Sequence, residues 1–474
     1  MRARYDLVVL GGGTGGLVSS LIAAGAGARV ALIERDRTGG DCLWTGCVPS
    51  KSLLAAASLA HRMRHADAVG LEPFEPAIDF ARVMDHVWGA IRTIEPHDSP
   101  DRLRQAGVEV IAADGRFTAP GRIAAGGREL GYRTAIIATG SRPVLPSVPG
   151  LDAVSPLTTD TVWDLRDLPR RVVVLGGGPV GCELGQAFAR LGAHVTLVEM
   201  ADRLLLKEEP SASDLIAQRL GTEGVDVRTG RQATEVRGSR LVLDDGAAIP
   251  FDRVLVATGR RPRTEELGLG TVVVDVDPNG AVSVDHRLRT TAHGIYAVGD
   301  VTGLLPFTHV AAHHARVATS NAVFHTRATV SAVLPQVTFT DPEVGRVGLT
   351  EAEARERWGD GVRIAEFNHA SLDRAIAAGE PYGFSKLVAV PRGRLVGATV
   401  AAPGAGEAIA ELTGWLLRGG KIADVSRAVH AYPTLSEGPA RAADHYLAAR
   451  YSSPRVRAIA RPVLAALRLL ERPR

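Results

Sequence analysis

Two cysteines stand where residue types and spacing suit redox chemistry. Cys42 and Cys47 are two of only three cysteines among 474 residues, and both lie in the run GGDCLWTGCVPSK. The glycines around them permit tight backbone geometry, and a proline just after the second cysteine predicts a helix that begins there. The dipole at a helix N-terminus stabilises a thiolate. The segment therefore predicts a redox-active dithiol, although two cysteines at such a spacing are more often unrelated buried thiols.

A structural zinc site does not fit this segment. Such a site needs about two further Cys or His ligands at suitable spacing, and none lies near the pair. We therefore expect no metal site. The third cysteine, Cys182, is expected to be a small buried residue.

A repeated glycine pattern predicts the elements that hold this chemistry in place. In each copy three glycines follow a strand-like apolar run, a helix-like segment comes next, and an acidic residue closes the following strand. The glycines allow a tight turn and close approach of backbone to a pyrophosphate, which rests on the helix N-terminus. The acidic residue accepts a hydrogen bond from a ribose 2′-hydroxyl. The two copies comprise Gly11, Gly13, Gly16 and Glu34, and Gly176, Gly178, Gly181 and Glu199.

Two copies in register predict two Rossmann-like βαβ units that bind two dinucleotides, whereas a single match is sometimes only a glycine-rich loop. The apolar runs that end at Gly140 and Gly259 are expected to rejoin the sheets of the first and second unit, respectively. Another short buried strand is predicted just before Asp300. After about residue 335 the pattern changes to mixed strands and helices, which predicts a different domain.

Composition bounds the class of protein. The chain is long enough for about three domains, and its 45% hydrophobic and 23% charged residues are typical of a globular protein. A net charge of +3 is small for this length and gives no reason to expect a nucleic-acid partner. No run of about 18 apolar residues is present, and the start of the chain resembles a first strand more than a secretory signal. We expect a cytoplasmic protein, in which a disulfide is more often catalytic than structural.

Taken together, these motifs resemble the class I pyridine nucleotide-disulfide oxidoreductases, the family of dihydrolipoamide dehydrogenase, glutathione reductase and mercuric reductase. The resemblance covers nearly the whole chain, and GGDCLWTGCVPSK is its most specific element. It implies an α/β fold with two Rossmann-like domains, for FAD and NAD, plus an α+β C-terminal dimerisation domain, and hence a homodimer. The implied segments are 1–150 and 273–334 for the FAD-binding domain, 151–272 for the NAD(P)-binding domain, 335–453 for the dimerisation domain and 454–474 for a basic tail.

The resemblance also implies where the cofactors bind. The first glycine motif with Glu34 would hold the adenosine diphosphate of FAD, and Asp300 would meet the ribityl and phosphate region. The second motif with Glu199 would hold the nicotinamide dinucleotide. A carboxylate at this position accepts the ribose 2′-hydroxyl of NADH and repels the 2′-phosphate of NADPH, so NADH is favoured. Arg203 lies near enough in the sequence to weaken that preference.

The same resemblance implies roles near the flavin. Cys47 would face the flavin, and Cys42 would carry out disulfide interchange. Lys51, one of only four lysines in the chain, would lie beside the reactive nitrogen of the flavin, with Glu183 as its ion-pair partner. A lysine in the first turn of a helix opposes the dipole and needs an anion nearby. The alternative is that both side chains are simply solvated.

One position departs from the family members that act on disulfides and dithiols. Those enzymes carry His-Pro-Thr followed by a glutamate that orients the imidazole, and the histidine deprotonates the incoming thiol. Here the segment reads HAYPTLSE, so Tyr432 takes the place of the histidine and Glu437 that of the glutamate. A phenol with a pKa of about 10 is a poor base at neutral pH, and loss of a general base costs about 10²- to 10⁴-fold in rate. His430, two residues away, is the alternative base.

We therefore expect a homodimeric FAD enzyme that oxidises NADH and passes electrons through Cys42 and Cys47 to a small acceptor such as a metal ion, a quinone or another electrophile. Three alternatives stay open: a dihydrolipoamide dehydrogenase with an unusual base, a soluble transhydrogenase-like enzyme and a slow redox-sensing binding protein. A tyrosine in place of the catalytic histidine resembles the pattern of mercuric reductases and soluble transhydrogenases. However, the chain has no C-terminal cysteine pair of the mercuric type, and transhydrogenases usually lack a complete redox pair.

The tail from Pro454 onward carries six arginines and one glutamate, and its apolar residues recur at helical spacing, interrupted by Pro462. We expect a helix that packs on the body of the protein or on a partner subunit. Contact with a membrane surface is the less common role of such a helix.

Overall fold

The computed structural model describes residues 4–470, and its elements are numbered in chain order. The strands are β1 Tyr5–Leu10, β2 Val30–Glu34, β3 Val108–Ala112, β4 Gly115–Ala119, β5 Arg122–Ala125, β6 Arg128–Ile137, β7 Ser141–Pro143, β8 Arg171–Leu175, β9 His194–Val198, β10 Asp226–Arg228, β11 Ala233–Arg237, β12 Arg240–Leu243, β13 Ala248–Pro250, β14 Arg253–Val256, β15 Arg260–Pro262, β16 Ile295–Ala297, β17 Pro335–Thr338, β18 Glu343–Gly348, β19 Arg363–Asn368, β20 Phe384–Val390 and β21 Arg394–Ala402. The α-helices are α1 Thr14–Gly25, α2 Gly40–Trp44, α3 Cys47–Arg64, α4 Phe80–Asp98, α5 Pro100–Gln105, α6 Pro179–Arg190, α7 Pro210–Thr222, α8 Thr308–Phe324, α9 Glu351–Trp358, α10 Asp373–Ala377, α11 Ala405–Leu417, α12 Ile422–Arg427, α13 Glu437–Tyr451 and α14 Pro454–Leu470.

The chain forms two compact units. The first comprises the described residues up to Arg64, together with Phe74–Asp202 and Leu220–Ser331. The second comprises His65–Pro73, Arg203–Arg219 and the described residues from Ala332 onward. Across residues 4–470, no helix combines the length and the hydropathy that a membrane-spanning segment needs.

The first glycine motif lies in a sheet with the parallel strand order β3-β2-β1-β6, and β16 pairs in parallel with β6. In this register Val9 lies opposite Leu32 on one side and Ile136 on the other. Val9, Leu32 and Ile136 are fully buried on the face that helices cover, where Leu17 of α1 and Val317 of α8 belong to the same core. The predicted return of the run before Gly140 to this sheet is confirmed, and the short buried strand predicted before Asp300 is present as β16.

The second glycine motif lies in a parallel sheet of order β10-β9-β8-β14. The antiparallel strands β11, β12 and β13 share its core, in which Leu175, Leu241 and Val256 are buried. A short antiparallel pair, β7 with β15, joins the segments that follow Gly140 and Gly259. Both predicted βαβ units are therefore present, and their strands recur in the same parallel order.

The second unit contains an antiparallel sheet of order β17-β18-β21-β20-β19. Its core joins Leu387 and Val400 of the sheet to Ile409 and Leu412 of α11 and Ala442 of α13. This confirms the α/β fold with two Rossmann-like domains and a C-terminal α+β domain that the sequence predicts.

The predicted helix in the basic tail is present as α14, but two details differ from the expectation. The helix continues through Pro462 without interruption. Five of its large apolar side chains are exposed within one chain, so they do not pack on the body, and the expected contact with a partner subunit stays a prediction. Residues 471–474 of the predicted tail lie outside the described part of the chain.

Candidate active site

The first glycine motif forms a tight loop between β1 and α1. Gly11 has a φ of +102°, a conformation that favours glycine, and a Cβ on Gly16 would lie 1.8 Å from the carbonyl oxygen of Gly11. Gly13 is the N-cap of α1 and leaves its first turn open to an anion. Glu34 accepts a hydrogen bond of 2.6 Å from the amide of Gly12, which fixes its carboxylate at the edge of the loop. The loop therefore fits the pyrophosphate and ribose of a dinucleotide.

The second motif repeats this geometry between β8 and α6. Gly176 has a φ of +107°, and a Cβ on Gly181 would lie 1.8 Å from the carbonyl oxygen of Gly176. Gly178 is the N-cap of α6. Glu199 accepts hydrogen bonds from the amides of Gly177, at 2.6 Å, and Ala201, at 2.7 Å. A second dinucleotide site of the same construction follows.

The two cysteines lie at the junction of α2 and α3. Cys42 is half-buried within α2, and Cys47 is the exposed first residue of α3, as predicted. The Cys42 thiol donates to the sulfur of Cys47, which lowers the pKa of Cys47 to about 6, with help from the Thr308 hydroxyl and the charge of Lys51. The same hydrogen bond and burial raise the pKa of Cys42. The pair is therefore polarised, with the thiolate on Cys47.

Thr308 is a contact that the sequence analysis missed. Its Oγ1 lies 3.2 Å from the Sγ of Cys47, and it is the first residue of α8. The N-termini of two helices, α3 and α8, thus meet at this sulfur. Both helix dipoles favour negative charge there.

The cysteine segment packs directly on the first glycine loop. Gly39 donates its amide to the carbonyl of Gly12 at 2.9 Å, and Gly39 has a φ of +103°. A Cβ on Gly40 would lie 2.6 Å from the Cα of Gly13. The glycines before Cys42 are therefore required by this close approach, which fixes the redox pair beside the first dinucleotide loop.

The ion pair predicted between Lys51 and Glu183 is present. Lys51 Nζ lies 2.8 Å from Glu183 Oε2, and this contact joins α3 to α6. The side chain of Glu183 is 7% exposed and that of Lys51 is 36% exposed. The negative charge of Glu183 therefore stabilises the Lys51 ammonium, which the dipole at the N-terminus of α3 alone would disfavour.

Asp300 anchors a hydrogen-bonded chain at the carboxyl end of the first sheet. Its Oδ2 accepts from the Ser141 hydroxyl at 2.7 Å, and Arg260 Nε donates to the same hydroxyl at 2.7 Å. Arg260 also pairs with Asp41, the neighbour of Cys42. Burial raises the pKa of Asp300.

Gly140 and Gly259 precede the strands that carry this chain of contacts, and both have positive φ, +68° and +137°. Ser141, Arg260 and Asp41 were not selected from the sequence. Their positions in the sequence could have indicated them, because Ser141 and Arg260 directly follow the two glycines and Asp41 directly precedes Cys42.

In the second unit, Tyr432 is exposed and its hydroxyl donates to Asp373 Oδ2 at 2.9 Å. The hydrogen bond and the charge of this carboxylate raise the pKa of Tyr432, with Glu437 adding to the effect. Glu437 begins α13 and accepts from the amide of Thr434 at 3.2 Å. Tyr432 is therefore held as a neutral hydrogen-bond donor and is a poor base.

His430 does not supply the base either. Its Nδ1 lies 2.9 Å from the carbonyl oxygen of Ala428, and its Nε2 lies 3.0 Å from Glu411 Oε2. Both ring nitrogens therefore lie within hydrogen-bond distance of other groups of the protein. These contacts disfavour the alternative base considered from the sequence.

The chain is similar to known proteins over most of its length. The family "Pyridine nucleotide-disulphide oxidoreductase" matches residues 5–315, and its dimerisation domain matches residues 334–443. The chain is 36% identical to a dihydrolipoyl dehydrogenase of Thermus scotoductus, over 93% of this chain and 97% of the relative. It is 35% identical to a mercuric reductase of Streptomyces lividans, over 91% and 94% of the two chains. The Cu(II) complex of the HOCl-induced flavoprotein disulfide reductase RclA from Escherichia coli superposes with a TM-score of 0.82 at 27% identity, covering 91% of this chain and 98% of RclA.

Proposed function

Because the chain belongs to the pyridine nucleotide-disulphide oxidoreductase family, we propose that it uses NADH to reduce a Cys42–Cys47 disulfide and uses the resulting dithiol to reduce a soft metal ion. It is an oxidoreductase of a FAD-dependent family, and its dimerisation domain implies a homodimer. FAD, when bound, would supply the two-electron relay between the nicotinamide and the disulfide. The observation that carries the choice of acceptor is Tyr432, a neutral phenol where dithiol chemistry needs a base.

The cysteine pair suits a thiophilic ion. Thiolate ligands select soft metals, and the lowered pKa of Cys47, about 6, keeps its sulfur deprotonated at neutral pH. As two electrons leave the sulfurs, to one ion or singly to two, Cys42 releases its proton and an S–S bond forms. Hydride from NADH, which carries two electrons and one proton, then returns the disulfide to the pair of a Cys42 thiol and a Cys47 thiolate. No step in this cycle requires a substrate thiol to lose a proton to the protein.

A dithiol substrate would require the protein to accept a proton from the substrate thiol. The phenol of Tyr432 donates to Asp373 and does not accept a proton at neutral pH, and His430 faces Ala428 and Glu411. Relatives with metal chemistry in their names support the metal ion over the quinone and other electrophiles: a mercuric reductase shares 35% identity, and the RclA structure is a Cu(II) complex.

We further propose NADH as the preferred coenzyme. Glu199 holds its carboxylate at the edge of the second loop, where it would accept a ribose 2′-hydroxyl and repel a 2′-phosphate. Arg203, which the sequence offered as a phosphate ligand, donates to the carbonyls of Leu206 and Glu208 at 2.7 and 3.1 Å. The ratio of kcat/KM for NADH and NADPH tests this preference, and a tenfold advantage for NADPH would refute it.

Dihydrolipoyl dehydrogenase activity is the second candidate, since the Thermus scotoductus relative shares 36% identity over almost its whole length. That activity would appear as NAD⁺-dependent oxidation of dihydrolipoamide. A rate comparable to metal reduction would favour it over our proposal.

The thiol content of the holoenzyme tests the proposed cycle. Anaerobic NADH should raise the number of titratable thiols by two per subunit, and Hg(II) or Cu(II) should oxidise NADH only while the pair is intact. Cys42→Ser and Cys47→Ser should each abolish metal-dependent turnover. Cys182→Ser, at the buried third cysteine, is the control and should retain it. Unchanged thiol numbers after NADH would overturn the proposal.

A further inference from the structure

We propose that α14, Pro454–Leu470, is an anchor that lies in the surface of anionic phospholipid membranes. Five large apolar side chains of this helix are exposed: Ile459, Val463, Leu464, Leu467 and Leu470. Among its residues whose burial is described, only Val456 and Ala460 are less than exposed. A helix with so much open apolar surface in water requires a cover.

The charges of α14 indicate what covers it. The segment 454–470 contains four arginines and no acidic residue. At about 100° per residue, Ile459, Val463, Leu467 and Leu470 fall within about 80° of one another on the helix circumference, whereas Leu464 lies outside this group, about 20° from Arg457. Arg457, Arg461 and Arg468 fall within about 40° of one another, centred about 140° from the apolar group. An apolar side opposed by an arginine side is the arrangement of helices that lie in the headgroup region of a bilayer.

Two other arrangements of α14, crossing the membrane and pairing with α14 of a second copy, do not fit the helix. Seventeen residues of α-helix extend about 26 Å, which is shorter than the hydrocarbon core of about 30 Å. The helix therefore lies on the membrane and does not cross it. Pairing of α14 with α14 of a second copy would bring eight arginines together with no acidic residue from either helix between them, which like-charge repulsion disfavours. Anionic lipid neutralises the same arginines and covers the apolar side.

This inference is independent of the electron acceptor. It rests on α14 alone, and the glycine loops and the cysteine pair lie in the other unit. Loss of membrane binding should therefore leave turnover in solution unchanged. Failure of the metal-reductase proposal would not affect it.

Co-sedimentation of the full-length holoenzyme with lipid vesicles tests the anchor. The protein should bind vesicles made from equal parts of phosphatidylcholine and phosphatidylglycerol, and should bind phosphatidylcholine alone far more weakly. Each arginine near an anionic surface contributes about fivefold in affinity, so the triple variant Arg457→Gln, Arg461→Gln, Arg468→Gln should bind about 10- to 100-fold more weakly. Added salt should weaken wild-type binding.

Two further variants complete the test. Val463→Asp with Leu467→Asp should abolish binding by removing the apolar side. The control replaces three exposed arginines elsewhere in the second unit, Arg357, Arg418 and Arg427, by Gln, and should bind like wild type. Equal binding to both vesicle types, or unchanged binding of the α14 variants, would overturn the proposal. So would dissociation of the homodimer into monomers on deletion of residues 454–474, since α14 would then be a subunit contact.

Discussion

Replacing Tyr432 with histidine should give the enzyme the proton acceptor that dithiol oxidation needs. The wild-type phenol donates to Asp373 at 2.9 Å, and that hydrogen bond raises its pKa, so it stays protonated at neutral pH. An imidazole at the same exposed position has an ordinary pKa of about 6.5 and can accept a proton from a thiol. We expect Tyr432→His to increase kcat/KM for dihydrolipoamide.

The size of the gain follows from the surroundings of the position. A general base contributes about 10²- to 10⁴-fold, and we expect about 10- to 100-fold because nothing else in the site has been adapted to the new base. Asp373 and Glu437 both act electrostatically on position 432. Their negative charges raise the pKa of an imidazole there, so the base form appears only as pH rises past a midpoint above the ordinary value. The gain should therefore be larger at pH 8 than at pH 6.

The assay is NAD⁺-dependent oxidation of dihydrolipoamide across that pH range. Tyr432→Phe removes the hydroxyl without supplying a base and should show no gain. Tyr451→His places an imidazole at another exposed tyrosine of the same unit and should also show none. Rapid dihydrolipoamide oxidation by the wild type, or no gain in Tyr432→His despite normal folding, would refute the reasoning about this position.

Three further predictions concern the first unit. Lys51→Met leaves the buried carboxylate of Glu183 without its lysine and should lower the free energy of unfolding by about 1–2 kcal/mol. This value is discounted because Lys51 is partly exposed. In urea denaturation, the double variant Lys51→Met with Glu183→Gln should recover part of the lost free energy. In the reduced protein, alkylation of Cys47 by iodoacetamide should rise with pH around a midpoint near 6, because a lowered pKa means that the thiolate forms above that pH; a midpoint near 9 would contradict the proposed hydrogen bond. Gly16→Ala should release FAD, measured as flavin fluorescence in the filtrate, because its Cβ would meet a carbonyl oxygen at 1.8 Å, whereas Gly25→Ala, with open space around its Cβ, should retain it.

Local sequence patterns were sufficient for the elements that carry cofactor chemistry. The loops at Gly11 and Gly176 are recognisable because their backbone angles and contacts tolerate only glycine, so geometry and residue type are tied together. The helix that begins at Cys47 is also recognisable, because a proline follows two residues later. The positions of the buried parallel strands could also be predicted, since strands that are buried on both faces appear as continuous apolar runs.

Tertiary contacts could not be predicted in the same way. Nothing in the residue pattern indicates that Arg203–Arg219 belongs to the same unit as the C-terminal sheet. Two ion pairs join this segment to the sheet: Glu208 with Arg346 at 2.7 Å, and Glu209 with Lys386 at 3.3 Å. Such pairs join residues far apart in the chain, and neither partner stands in a motif.

The site shows the same division. The partner of Lys51 was identified only through the family resemblance, whereas Thr308 was missed because its role depends on α8 beginning beside the Sγ of Cys47. The engagement of His430 by Glu411 was equally invisible, because it requires α11 to pack near the segment that carries the histidine.

The most direct test of the account compares two acceptors in one preparation. The kcat/KM of the wild-type holoenzyme with NADH should be measured for Hg(II) and for lipoamide, in parallel with Cys42→Ser. We predict metal-dependent turnover that requires Cys42, and lipoamide turnover lower by about 100-fold or more, the effect of a missing general base. Lipoamide turnover equal to or faster than metal reduction, or metal reduction that survives the loss of Cys42, would contradict the account.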